Sequence, residues 1–153
     1  MFHHDEAERR KWQDPEAILA AAGLMEGMVF VDVGSGPGFF TLPASRIVGQ
    51  NGKVYAIDSD PRSIEKLEGR MMEGRVKNIV VKAAMAEETV LFEEEADMVF
   101  FGIDLHDFAD PPRVLANAMR MLKGGGKVVD LDWRKTPTAI GPPLWKRFTE
   151  EKA

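Results

Sequence analysis

The chain of 153 residues contains no cysteine. That excludes disulfides, thiolate metal sites and a cysteine nucleophile, and it fits a cytoplasmic location. No apolar run approaches the ~20 residues that cross a bilayer, so no membrane partner is expected. The opening residues, MFHHDEAERRKW, are polar and charged and do not read as a secretory signal. Internal repeats, low-complexity tracts and linkers are absent, so residues 1–153 are read as a single domain. The chain also lacks a basic excess: 25 acidic against 20 basic residues give a formal charge of −5. Such a balance is a poor electrostatic match for nucleic acid. Two local clusters run against it, Arg9, Arg10 and Lys11, then Arg134, Lys135, Lys146 and Arg147. Solvated faces are the ordinary reading of both, a basic rim for an anionic substrate or an RNA the sharper one.

What the chain does have is alternation. Apolar runs of strand length occur at 28–33, 54–57, 79–81, 98–101 and 128–131, with helical patterns between them. Three of these patterns open on Asp-Pro: Asp14–Pro15, Asp60–Pro61 and Asp110–Pro111. An aspartate at the N-cap followed by proline at the first helical position is a start signal. Gly23 should stop the first helix. Ile64 and Leu67 share a face of the second. Val114, Leu115, Ala118, Met119 and Leu122 form the stripe of the third, with Gly124 to Gly126 closing it. Strands alternating with helices imply an α/β parallel sheet covered on both faces, with its ligand beyond the carboxyl ends of the strands.

Just there, after the first apolar run, stands VDVGSGPGFF, with Gly34, Gly36 and Gly38 on alternate positions and Asp32 inside the strand. Each glycine costs about 0.5–1 kcal/mol in a regular element relative to alanine, so three together suggest that something approaches the backbone. Asp58 ends the second apolar run, 24 positions beyond Gly34, where a carboxylate can accept both hydroxyls of a ribose. A dinucleotide loop, G-x-G-x-x-G, would want glycine where Phe39 stands, and the lysine and hydroxyl of a phosphate-binding P-loop are missing. A nucleoside-containing ligand without the usual phosphate signatures accounts for the pattern.

VDVGSGPGFFTLPAS, GKVYAIDSDPRSIEKL and ADMVFFGIDLHDFADPPRVLANAMRMLKGGGKVVDLDW, in this order, resemble a class I S-adenosylmethionine-dependent methyltransferase. The likeness is greatest to the small-molecule branch that includes the ubiquinone and menaquinone methylating enzymes. It runs from about Asp14 to Trp133. The implied fold is a doubly wound, mostly parallel, Rossmann-like α/β sheet; the implied cofactor is S-adenosyl-L-methionine, and the implied partner a small-molecule acceptor. By this resemblance Asp32, Gly34, Ser35, Gly36 and Gly38 surround the methionine end of the cofactor. Asp58 takes the ribose, with Ser59 beside the adenine. Met85 and Ala86 line the adenine, and Gly102 and Ile103 close the methionine end.

The sequence departs from the family in two places. Met85 stands where an acid often receives the adenine amino group, leaving the Ala86 backbone or the Glu87 side chain as substitutes. After the fifth strand, TPTAIGPPLWKRFTEEKA holds a Pro/Gly-rich turn and one helix at most, so the family's last two strands are expected to be missing. A sheet edge would then be left open: either a partner chain covers it, a second copy in a homodimer being one such, or the sequence is a fragment or a naturally shortened form.

For the chemistry, His106 follows the fourth strand and has the pKa range of a base near neutrality; packing beside the cofactor is its ordinary alternative. Asp104 is a second base candidate or a simple loop acid. Asp132 and Trp133 end the fifth strand as pocket wall or core. His3 and His4 have no third ligand at metal spacing, so no metal site is expected. The nine methionines are read mostly as core filler. The reading is methyl transfer to a small molecule. A non-catalytic cofactor-binding or interaction module and a nicotinamide-dependent oxidoreductase are its rivals.

Overall fold

The computed structural model describes residues 6–102 and 105–131, apart from the side chain of His106. Strands β1 (Val29–Val33), β2 (Lys53–Asp58), β3 (Ile79–Ala83), β4 (Ala96–Gly102) and β5 (Leu122–Leu131) form one sheet in the order β3-β2-β1-β4-β5. Every pairing is parallel. The order reverses between β1 and β4, which is the switch point where such sheets open a crevice.

Helices α2 (Pro15–Ala21), α3 (Thr41–Val48) and α4 (Pro61–Glu73) cover one face, and α5 (Pro111–Met121) the other. The alternation of β1 separates the two layers. Phe30 packs with Leu19, Ala44, Val48 and Leu67 on the first face, while Val31 and Val33 pack with Val114, Ala118 and Met121 on the second. These side chains are almost wholly buried, and each large one contributes about 1.5–3 kcal/mol over exposure. The doubly wound α/β sheet expected from the sequence is therefore the observed one.

All three Asp-Pro starts form as read. Asp14, Asp60 and Asp110 each accept a hydrogen bond from a first-turn amide, those of Ala17, Arg62 and Arg113. The end of α5 differs from expectation. The helix stops at Met121, and Leu122 already pairs with Ala96 in the sheet; the next partners are Met98 and Lys127. Lys123 to Gly126 therefore bulge out of β5 rather than ending the helix. Gly125 there has φ +84°, and a Cβ on Gly126 would meet the Ala96 carbonyl oxygen at 2.8 Å. The helix stripe shifts too: Met121 is buried, whereas Met119 is 62% exposed. The expectation that methionines mostly fill core holds for half of the described ones. Met98 and Met121 are buried and Met28 and Met71 pack against the core, whereas Met25, Met72, Met85 and Met119 are exposed.

A short helix α1 (Glu6–Arg10) precedes the Asp14 cap. It docks rather than floats. The Arg9 guanidinium lies 3.9 Å from the Phe39 ring centroid and donates to Gln13 at 2.7 Å. Arg10 pairs with Glu16, Lys11 with Glu8, and Glu6 with Arg70. The first basic cluster is thus absorbed by neighbours of its own chain. The second cluster, His3, His4, Ile103, Asp104, Asp132 and Trp133 lie outside the described residues.

Candidate functional site

The carboxyl ends of β1, β2 and β3 and the segment after β4 bound a cavity of ≈ 280 Å³. Gly34 comes from the first strand end and Ile57, Asp58 and Ser59 from the second. Ala84, Met85, Ala86 and Glu87 follow the third strand, and Asp107, Phe108 and Ala109 follow the fourth. Of the residues singled out by sequence, Gly34, Asp58, Ser59, Met85 and Ala86 thus meet around one space.

Asp58 organises this end of the sheet. Its Oδ2 accepts the Gly36 amide and its Oδ1 the Asp60 amide, each at 2.8 Å. The Ile57 carbonyl meanwhile accepts from both Gly34 and Ser35. A carboxylate offers about four acceptor sites, so two remain for a pair of neighbouring hydroxyls. Positive φ at Gly34 (+77°) and Gly36 (+55°) lets the chain turn back so that its amides meet β2.

Other predicted residues stand outside the cavity wall. Gly38 (φ +106°) is kept bare by the protein itself, since a Cβ there would lie 2.7 Å from Leu67 Cδ1. A Cβ on Gly102 would lie at the same 2.7 Å from the Phe40 ring. Packing within the protein thus gives Gly38 and Gly102 a reason of their own to be glycine, beside any approach of a ligand. Ser35 is buried, its hydroxyl donating to the Gly36 carbonyl at 3.3 Å. Asp32 is 2% exposed and its Oδ2 accepts the Thr41 hydroxyl at 2.7 Å. Burial pushes its pKa up to about 7; the Thr41 hydrogen bond opposes this, the Asp58 charge adds to it and Arg9 opposes it. Asp32 thus ties β1 to the start of α3 and serves the loop from behind.

Sequence reasoning passed over Ile57, Ala84, Asp107, Phe108 and Ala109. Only their place after a strand, at the mouth of a parallel sheet, could have marked them. Glu87 was named as a substitute acceptor. It lines the cavity half-buried, with Oε2 accepting the Ala109 amide at 3.0 Å.

The lining tests which cofactor fits. Among the described residues it contains three carboxylates, Asp58, Glu87 and Asp107, and no lysine or arginine. A pyrophosphate would meet repulsion there without a countercharge. A nucleoside free of phosphate, with a vicinal diol for Asp58 and a cationic centre, suits the same surface. Ile57, Ala84, Met85 and Phe108 supply apolar area for a flat base. The residues present fit S-adenosylmethionine and not a dinucleotide.

Comparison with known proteins agrees. Residues 24–150 match the family described as a methyltransferase domain. The chain is 31% identical over 112 residues to a probable cobalt-precorrin-6B C(15)-methyltransferase (decarboxylating) of Sulfurisphaera tokodaii, covering 72% of this chain and 56% of that protein. It is 29% identical over 128 residues to the ubiquinone/menaquinone biosynthesis C-methyltransferase of Psychromonas ingrahamii, covering 83% and 50%. Among solved structures, an S-adenosylmethionine-dependent methyltransferase from Aquifex aeolicus superposes with a TM-score of 0.87 at 29% identity. That match covers 97% of this chain and 84% of the other. The chain spans about half the length of the curated relatives it matches. By sequence and by fold, the chain belongs to the methyltransferase-domain family, in its class I, S-adenosylmethionine-dependent form.

Proposed function

We propose that this chain transfers the methyl group of S-adenosylmethionine to a small-molecule acceptor. The observation that carries the reading is the phosphate-hostile lining: among the described residues, three acids and no lysine or arginine around a cavity at the switch end of a parallel sheet. When bound, the cofactor supplies an electrophilic methyl group on a sulfonium.

The chain's own residues do the rest. Asp58 accepts the ribose hydroxyls with the acceptor sites that Gly36 and Asp60 leave open. Gly34 presents backbone to the adenosyl group, and Ser59 and Met85 flank the base. Ala86 closes the wall behind it, while Glu87 takes the place of the missing family acid as acceptor for the exocyclic amine. Gly102, which ends β4, and Ile103 close the methionine end, as the family resemblance implies. Holding donor and acceptor in line supplies most of the acceleration in such a displacement, with a base needed only where the acceptor must lose a proton. His106 and Asp104 are the candidates for that base.

A cytoplasmic setting accords with the cysteine-free sequence, and no helix among the described residues is long and apolar enough to cross a membrane. Pairing of two copies along the β5 edge is the assembly this reading allows, to be checked by light scattering. The central test is calorimetric titration with S-adenosylhomocysteine and NAD, followed by turnover with S-adenosylmethionine as donor against an acceptor panel. Binding of the first compound alone, with methyl transfer, is the expected result. Binding without turnover on any acceptor would return the chain to a binding module.

A further inference from the structure

The turn Ala86–Glu88, which carries one wall of the cavity, follows β3 at the edge of the sheet. Among the described residues β3 pairs with β2 alone, so little in the sheet fixes the turn beyond it. Within the turn, the Glu88 amide donates to the Met85 carbonyl at 3.0 Å, and the Thr89 hydroxyl to the same oxygen at 2.6 Å. Those bonds shape the turn. They do not set its position against the rest of the cavity.

That position is set from α5. Asn117 lies in the middle of this helix, beside the buried stripe of Val114, Ala118 and Met121. Asparagine is a weak helix-interior residue, less favourable there than alanine. Here its side chain reaches out of the helix. Nδ2 donates to the Ala86 carbonyl at 3.0 Å and to the Glu87 carbonyl at 2.9 Å. Two carbonyl partners require the amide's NH₂ end and use both of its hydrogens, so the side chain has one orientation. The second tie is the Glu87 carboxylate, which accepts the Ala109 amide at 3.0 Å. Ala109 belongs to the opposite wall and leads within two residues into α5. Asn117 and Glu87 thus brace the two walls against each other and against one helix.

We infer that Asn117 is a positioning residue that sets base specificity: acting through the Ala86 and Glu87 carbonyls, it holds the Glu87 carboxylate where a purine's exocyclic amine is accepted and an exocyclic carbonyl is refused. This rests on the adenosyl reading of the cavity given above. Asn117 does not line the cavity. Its effect passes through the turn, and a carboxylate held still discriminates between donor and acceptor at the base edge more sharply than one free to swing aside.

The test uses the full chain, Asn117→Ala and Asn117→Asp, titrated with S-adenosylhomocysteine and S-inosylhomocysteine. The two probes share ribose and amino acid and differ at the base edge. Alanine favours the helix but leaves the Ala86 and Glu87 carbonyls without their side-chain donor, so the variant should stay folded with a melting temperature a few degrees lower at most. Asn117→Asp offers no donor and sets a charge against two carbonyls. The wild type should prefer the adenosyl compound by about tenfold or more. In both variants that compound should weaken by about tenfold while the inosyl compound changes little, collapsing the preference. Independently of any ligand, amide exchange at Glu88 and Thr89 should quicken in Asn117→Ala with β1 unchanged. An undiminished preference in the variants, or equal weakening of both probes, overturns the inference while the adenosyl reading stands. A wild type that binds neither probe overturns both.

Discussion

The amide of Gly36 donates to the carboxylate of Asp58 at 2.8 Å across 22 residues of sequence. The glycine loop and the second strand are therefore one unit, and the residue proposed to hold the ribose also holds the loop. Asp58→Ala should weaken S-adenosylhomocysteine binding by roughly ten- to hundredfold. It should also lower the melting temperature by a few degrees, because two backbone amides lose a charged acceptor. Asp58→Asn, which keeps the shape and one good acceptor, should fall between. Calorimetry showing wild-type affinity in Asp58→Ala would remove the ribose role.

Gly102 ends β4 against the ring of Phe40, which itself packs on Phe100 with centroids 4.8 Å apart. Gly102→Ala places a methyl group 2.7 Å from two ring carbons, and overpacking of this kind costs about 1–3 kcal/mol. The melting temperature should fall by roughly 3–10 °C. Phe40→Leu clears the space, so the double variant should be no less stable than Phe40→Leu alone. Additive losses in a denaturant-unfolding cycle would show that the ring is not what the glycine yields to.

The contrast between these two sites shows what the sequence could disclose. Asp58 was legible because its cue is local: an acid at the end of an apolar run, at a fixed distance from a glycine loop. The Asp-Pro helix starts were legible for the same reason, each cap bonding an amide two or three residues on. The packing of Gly102 was not legible, since Phe40 lies 62 residues earlier and nothing in the intervening sequence links them. Likewise the bulge at Gly125 depends on the register of β4, and the reach of Asn117 depends on where β3 delivers its turn. Long-range neighbours decide these features, and a linear reading has no access to them.

The docking of α1 follows this pattern and can be tested. Arg9 stacks on Phe39, directly after the glycine loop, whereas Arg10 and Lys11 make exposed ion pairs. Exposed pairs contribute about 0–1 kcal/mol, and a partly desolvated cation over an aromatic face up to about 2. Arg9→Ala should therefore destabilise by about 1–2 kcal/mol and Lys11→Ala by less than about 0.5. Arg70 extends the contact, donating to the Pro37 carbonyl at 3.2 Å while pairing with Glu6. Arg70→Ala should weaken cofactor binding severalfold by freeing the loop. Equal stability of the Arg9 and Lys11 variants in urea would reduce α1 to a surface ornament of the fold.

Asp32 supplies a pH test. Its pKa is raised to about 7, chiefly by burial, against about 3.9 in an unfolded chain. Between those values the folded protein holds a proton that the unfolded chain has released. The stability this residue contributes is thus complete below about pH 4 and is lost as pH rises toward 7. Asp32→Asn, neutral at every pH and still able to accept the Thr41 hydroxyl, should escape the loss. Relative to wild type it should melt several degrees higher at pH 8, with the gap closing by pH 4 to 5. Thr41→Val, which removes the hydrogen bond favouring the charged form, should be hurt more at pH 8 than at pH 5. A gap between Asp32→Asn and wild type that is the same at both pH values would mean that Asp32 carries its charge throughout, held by Arg9 and Thr41 against burial.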